Sequence, residues 1–472
     1  MTALEPALYA LLIAVAAFAV WRRPLLALFL FLAGLAVHNA VMAALYGAGV
    51  RGSTLTAITA WKEILLVVAL ARVAWDAWRA RALPFAWSVV DSLAVAFAAL
   101  CVVYALIPQS ALGGHAGHRA VALGLRHDVV PVGAYFLGRS LALSRRDWRA
   151  LAWTLLGVAV AVAAWGLIDA YAIPISWWRS SAVVPYFHKH LGYDYHGTGG
   201  LPENFIYNVG GDKPFLRRLV SSFLSPLASG YLFVVALVIA ATWRRAALAV
   251  SAVVFGGLLW TFSRSSLVAL AGALVLLALL RRSVVLLGGA AVVIAVAVAW
   301  AHVFPHIGPT GRFTPADLRY QHRHAAKGPS GSFSAVSENE PSLHEHWTSL
   351  KDGVRTIVHH PQGYGLGNVG QVASRTNTPL KAGESNYTEL GVELGLLGSL
   401  LWIAWGLAVL WGLVRARASR VCAAFAAVLA LAVQTDVIGD PWVAYCVWAL
   451  AGAALLMQTR PKERLAGASP AP

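Results

Sequence analysis

The chain has 472 residues, 59% hydrophobic and only 12% charged, with a mean hydropathy of +0.66 and a formal net charge of +16. So little charge cannot cover the surface of a soluble protein of this length, which excludes a water-soluble globular enzyme. The excess of arginine invites a nucleic-acid partner, but its placement at the borders of apolar runs accounts for most of it, and none is expected.

Apolar runs of about 18 to 24 residues recur along the chain, each long enough to cross a bilayer core as a helix. Spans are predicted at roughly 6–21, 24–46, 54–75, 86–107, 126–143, 150–172, 218–242, 246–262, 264–280, 283–301, 388–413, 420–437 and 441–458. The expected fold class is an all-α polytopic membrane protein with about 12–13 transmembrane helices. The first run leads directly into the second through Arg22-Arg23, without the pattern of a detachable signal peptide. Cys101, Cys422 and Cys446 fall inside spans, where they read as packing residues rather than a disulfide or metal framework.

The turns alternate in charge. Arg22/Arg23, Arg72/Arg79/Arg81, Arg145/Arg146/Arg149, Arg244/Arg245, Arg281/Arg282, Arg415/Arg417/Arg420 and Arg460/Lys462/Arg464 fall on one side, which the positive-inside rule makes the cytoplasm. The expected organisation is helices over 1–301 with an outer loop at 173–217, a large extracytoplasmic loop at 302–387, helices over 388–458, and a cytoplasmic tail at 459–472. The 173–217 loop is rich in aromatics, histidine and glycine, as in Tyr186-Phe187-His188-Lys189-His190 and Gly197–Gly200. The large loop opens with a polar, irregular stretch from His306 to Glu340. Leu343, Trp347, Leu350, Val354 and Ile357/Val358 then recur at helical steps, until His359-His360-Pro361 ends the pattern. Such a helix is expected to lie along the membrane surface or to cap a cavity.

Four arginines stand at the outer ends of spans, where that rule disfavours them. Arg126 opens one span, Arg217 and Arg218 open another, and Arg264 sits in the turn Thr261-Phe262-Ser263-Arg264-Ser265. A snorkelling arginine bonded to loop carbonyls or headgroups is the plain alternative for any one of them. Four together favour an anion site, and a lipid diphosphate at the outer leaflet suits bidentate guanidinium binding. Lys62, followed by Glu63, is expected well inside the third span, either in a packing ion pair or beside the same anion.

The outer loop supplies His344-Glu345-His346, the run Gly363-Tyr364-Gly365-Leu366-Gly367-Asn368-Val369-Gly370, and Glu384-Ser385-Asn386-Tyr387 at the start of the next span. Histidine and glutamate are the residue types expected to deprotonate a sugar hydroxyl. A solvated side chain is the alternative for a loop histidine, and a favourable helix-start charge the alternative for Glu384. His344 and His346 are two apart, unlike the zinc pair of HExxH, and no metal is expected. The glycine run lacks the GK[ST] ending of a phosphate loop. Gly391, Gly395 and Gly398 read as close helix packing.

Five stretches resemble the O-antigen ligase and O-antigen polymerase superfamily of bacterial envelope glycosyltransferases. They are Gly124–Arg126 with Tyr135–Arg139; Arg218–Phe223 with Ser225-Pro226 and Gly230-Tyr231; Thr261–Arg264; Glu345-His346 with His360–Gly367; and Glu384–Tyr387 with Glu393–Gly398. The resemblance implies a multi-pass protein of the bacterial inner membrane with a periplasmic working face. It would transfer a glycan from undecaprenyl diphosphate to a hydroxyl of a glycan or lipid-linked acceptor, without metal, nucleotide or other cofactor. Arg218 and Arg264 would hold the diphosphate, with Arg126 and Arg217 in support and Lys62 and Tyr387 as further supporting residues. Ligases acting on lipid A-core carry a histidine where this chain has Glu384, so either Glu384 or His346 would be the base. That departure leans toward a surface-polysaccharide polymerase or a ligase-like relative. The alternative from another class is a transporter or flippase of a lipid-linked or anionic substrate, which should show broken helices and mid-membrane charges; Lys62 and Asp91 are the candidates.

Overall fold

The computed structural model describes residues 4–193, 200–201, 204–208, 213–241, 245–324, 341–381 and 383–456. Gly197–Gly199, Arg244, most of the 306–340 stretch beyond His324, and the tail at 459–472 with Arg460, Lys462 and Arg464 lie outside the described residues.

The chain is almost wholly helical. It begins with α1 (Leu4–Arg22), α2 (Leu25–Gly47), α3 (Gly52–Thr59), α4 (Trp61–Ala80), α5 (Val89–Leu106), α6 (His118–Ser140) and α7 (Arg145–Ala172). Two short helices, α8 (Ile175–Ser180) and α9 (Val183–Pro185), precede strands β1 (Ile206–Tyr207) and β2 (Phe215–Arg217). Then come α10 (Pro226–Ala240), α11 (Arg245–Trp260), α12 (Arg264–Arg281), α13 (Val284–Ile307), strand β3 (Thr310–Gly311) and α14 (Pro315–His324). The last part holds α15 (Pro341–His359), α16 (Gly370–Thr376), α17 (Asn386–Arg415), α18 (Ser419–Leu431) and α19 (Trp448–Leu456).

Among the described residues, α2, α5, α7, α12, α13 and α17 are each long and apolar enough to cross a bilayer. The pair α3–α4 qualifies together, bent by 43°. Shorter apolar helices occupy the other predicted spans, except that α6 carries Arg126, His127 and Asp128 and is more polar. The protein is thus an all-α, multi-pass membrane protein. The three cysteines are free and buried.

α10 is the central helix, buried along nearly its whole length and packed by α7, α11, α12 and α18. α6 and α19 touch through backbone: a Cβ on Gly138 would lie 2.0 Å from the Ala449 carbonyl oxygen, and one on Gly452 2.2 Å from that of Tyr135. Small residues there allow the dispersion contact that drives helix association where lipid is the solvent. Beside that seam Trp405 stacks on Phe97 and on Trp448, and Trp402 packs tilted against both.

Some turns expected on the same side touch one another, for each of the two sides. At one, Arg23 pairs with Asp147 at 3.1 Å, Arg72 donates to the Trp21 carbonyl, and Arg281 donates to Ser419. At the other, Arg179 pairs with Asp317 at 3.1 Å, and Asn368 accepts from the His115 and Ala116 amides.

Three differences from the sequence reading have physical causes. The span expected over 218–242 begins only at Pro226, so Arg217 and Arg218 do not open a helix. Arg217 ends β2, which pairs antiparallel with both β1 and β3, and positive φ at Ser221 and Leu224 turns the chain before the Ser225 cap and Pro226. The 306–340 stretch is not irregular throughout, because α13 runs on to Ile307 and α14 follows. Lys62 is not deep in a straight span; it lies in the first turn of α4, just past the bend. α15 forms where the periodicity predicts it, with Ile357 buried and Trp347, Val354 and Val358 exposed as an apolar stripe.

Candidate functional site

α17 is not one straight helix. Gly395 adopts φ 71° and ψ −177°, so the helix breaks there and backbone groups on both sides need other partners. The glycine run supplies them. The Tyr364 and Gly365 amides donate to the carbonyls of Val392 and Glu393 at 2.7 and 2.9 Å, and the Leu396 amide donates to the Pro361 carbonyl at 2.8 Å. The Gly367 amide donates to the Glu393 carboxylate at 2.8 Å. Asn368, fully buried, donates to the Tyr364 and Gly365 carbonyls. The run is therefore a plug for a broken helix. Gly391 keeps the packing role, since a Cβ there would lie 2.4 Å from Ile357 Cδ1, whereas Gly395 is required by its positive φ.

At the start of α17, Ser385 caps the helix, accepting from the Thr388 amide. Glu384 precedes the cap, half-buried, and its Oε1 lies 2.5 Å from Nδ1 of His346 on α15. The two residues offered as alternative bases are thus one pair. Glu345 takes its place on the same helix, and His344 is exposed. The Tyr387 hydroxyl donates to the Leu429 carbonyl at 2.8 Å, fastening α17 to α18.

A small cleft opens between α4, α6, α16 and the segment leading to α19, lined by Lys62, Glu63, Arg126, His127, Arg375 and Tyr445 among others. Glu63 lies 3.6 Å from Lys62 and 3.5 Å from Arg126. Lys62 also donates to the Thr59 carbonyl at 2.8 Å, satisfying an acceptor left by the bend. One carboxylate thus faces three cations, and the cleft is electropositive.

Arg218 and Arg264 meet at the Thr261–Ser263 turn. Arg218 donates through Nε to the Thr261 carbonyl at 2.8 Å, and the Arg264 guanidinium stands 5.8 Å from the Tyr207 ring centroid, at the start of α12. Arg217 lies apart: its guanidinium is buried and bonds Asp169 at 2.6 Å and the Ile173 carbonyl.

The family model described as O-antigen ligase matches residues 248–403, about a third of the chain. Over that segment the chain is similar to the O-antigen ligase family. The resemblance to the O-antigen ligase and polymerase superfamily thereby holds, and with it a ligase- or polymerase-type function in general. Arg264, His346, Glu384 and Tyr387 fall inside the matched segment, whereas Lys62, Arg126, Arg217 and Arg218 lie before it. No curated protein matches the chain.

Sequence reasoning passed over His127, Arg375 and Asp436. A signal for the first was available: Arg126-His127-Asp128 places three ionisable residues in a predicted span, where each needs a partner or water. Arg375 and Asp436 gain meaning only from the fold.

Proposed function

We propose that this protein transfers a glycan from undecaprenyl diphosphate to an acceptor hydroxyl at the periplasmic face of the bacterial inner membrane. The observation that carries the reading is the His346–Glu384 pair, held at 2.5 Å within the O-antigen ligase segment. With Nδ1 facing the carboxylate, His346 would take the acceptor's proton on Nε2 and Glu384 would stabilise the resulting imidazolium. The acceptor oxygen would bond the anomeric carbon as its bond to the diphosphate breaks, and that electron pair would leave on undecaprenyl diphosphate. Arg218 and Arg264, with Arg126 and Lys62 from the cleft, would neutralise the leaving charge. Arg217, occupied by Asp169, would brace the loop rather than bind, and Tyr387 would hold α17 in place. The large loop over 302–387 would cover the reacting groups.

The test is transfer by purified protein given an undecaprenyl-diphosphate-linked oligosaccharide, read on a glycan gel. His346→Ala should lower the rate by about 10²–10⁴-fold, the usual contribution of a general base, and Glu384→Gln by less. A ladder of products marks a polymerase and a single transfer to lipid A-core a ligase. Equal activity in wild type and His346→Ala would defeat the assignment of the base. The breaks at Ala60 and Gly395 lend the transporter reading some support, since discontinuous helices mark transporter sites. Donor movement across liposomes with no new glycosidic bond would establish that reading instead.

A further inference from the structure

His127 occupies an unusual place for a histidine. It projects from α6 into the wall of the cationic cleft, beside Arg126, with its side chain only 17% exposed. Its Nδ1 lies 2.8 Å from Asp128 Oδ1, and its Nε2 lies 3.0 Å from Asp436 Oδ2. Both acids are buried. Ionised carboxylates only accept hydrogen bonds, so a ring bonded to one on each nitrogen must donate from both. Asp436 is well supplied with donors: besides His127 it accepts from the Gly439 amide at 2.9 Å and from Asn386 Nδ2 at 2.5 Å. Asn386 is itself fully buried, and its Oδ1 accepts from the Val437 amide at 2.8 Å and the Ile438 amide at 3.3 Å, while its backbone N–H donates to the Ala432 carbonyl.

These bonds form one path from cleft to base. α6 carries Arg126 and His127; His127 grips Asp436, Asp436 grips Asn386, and Asn386 is the first residue of α17, two positions after Glu384. Both ring nitrogens are engaged, so the ring has no remaining N–H to offer a substrate.

We propose that His127 is a positioning residue, an imidazolium clamped between Asp128 and Asp436 that fixes, through Asn386, where Glu384 and His346 stand relative to the bound diphosphate. This deepens the transferase reading and rests on it. A charge held between two carboxylates is costly to assemble inside a membrane, and registering two distant parts of a site is the best-attested use of such a device.

The experiment uses the full-length protein in nanodiscs, with undecaprenyl-diphosphate-linked oligosaccharide as donor. His127→Gln, which can donate at one end only, should lower kcat by about 10–100-fold, the scale of a misplacement of about 1 Å. KM for the donor should change by less than about threefold. His127→Arg, able to donate to both acids, should recover most of the loss. Asn386→Ala should lose kcat similarly, and the double variant should be no worse than the poorer single, because both cut the same path. Nitrogen NMR of histidine-labelled protein should show one ring, absent in His127→Gln, with both nitrogens protonated at neutral pH.

A raised KM with kcat intact would mean that His127 binds the anion itself and would overturn the proposal. So would additive losses in the double variant, or a singly protonated ring. A wild-type protein that transfers no donor defeats the transferase reading alone; the ring spectrum, and its change in Asp436→Asn, still decides whether the clamp exists.

Discussion

Two kinds of charged contact occupy this protein, and they differ in how completely they close. Asp91 and Arg139 are buried; they share two bonds of 2.9 and 3.1 Å, and the Tyr135 hydroxyl adds a third at 2.8 Å. Asp169 and Arg217 are buried likewise, and Trp178 donates to the same Asp169 oxygen as Arg217, at 2.9 Å. In the cleft, by contrast, Glu63 stands 3.5 and 3.6 Å from its cations, and Arg126 is 44% exposed. A closed pair has its charge already answered and serves the fold. A loose cluster with surplus positive charge is where the proposed transfer would place its anion. On the proposed function, outer arginines that look equivalent in sequence divide into braces and binders, and Asp91, a candidate mid-membrane charge, belongs with the braces.

The division breaks most readily at Arg264. Arg264→Ala should reduce transfer by about 10²–10³-fold, the scale seen when a donor to developing negative charge is removed. Membrane insertion and thermal stability should stay as in wild type. A fully active variant would remove the diphosphate from this turn. Arg217→Ala is the mirror experiment. Leaving Asp169 buried alone should cost about 3–5 kcal/mol of stability, read as a lower melting temperature or lost yield, while activity per folded molecule stays near wild type. Equal transfer loss in both variants, with both folded, would erase the distinction.

Much of the fold was legible before any coordinates. Hydropathy alone located the helices, because a bilayer demands a run of apolar residues of set length and little else. Arginine placement sorted the turns into two sets, and some members of each set touch, as Arg23 does Asp147 and Arg179 does Asp317. Glu384 and His346 were each visible as possible bases, yet nothing in the sequence could say that residues 38 positions apart would touch. The same holds for His127 and Asp436, and for Arg217, whose fate depends on an aspartate 48 positions earlier. Helix breaks escaped for a different reason. Hydropathy averages over a window, so the bend before Lys62 and the kink at Gly395 vanish into otherwise good spans. The strands β1–β3 are too short to carry a period.

Gly395 sharpens the comparison on the backbone, since it too is a brace. Its φ of 71° is strained for any residue with a Cβ, and a Cβ would lie 2.4 Å from the Pro361 carbonyl oxygen. Gly395→Ala should therefore cost about 1–3 kcal/mol and loosen the glycine run from α17. Hydrogen exchange at Tyr364, Gly365 and Gly367 should accelerate. Unchanged protection would mean that the run holds itself without the break.

The smallest effect on stability should come from the cleft itself. Arg126 is half-exposed and its contact to Glu63 is long, so Arg126→Gln should change stability by less than about 1 kcal/mol, as for most exposed pairs. Removing it also relieves repulsion with Lys62, which shares the same carboxylate. If the cleft is a binder, the loss should instead appear when the anion is present, as a several-fold lower kcat/KM for the donor. Added salt should shrink the difference between variant and wild type, because screening weakens an exposed guanidinium more than a buried one. A variant that unfolds but binds normally would make Arg126 a brace like Arg217, and the surplus charge of the cleft would then belong to the fold.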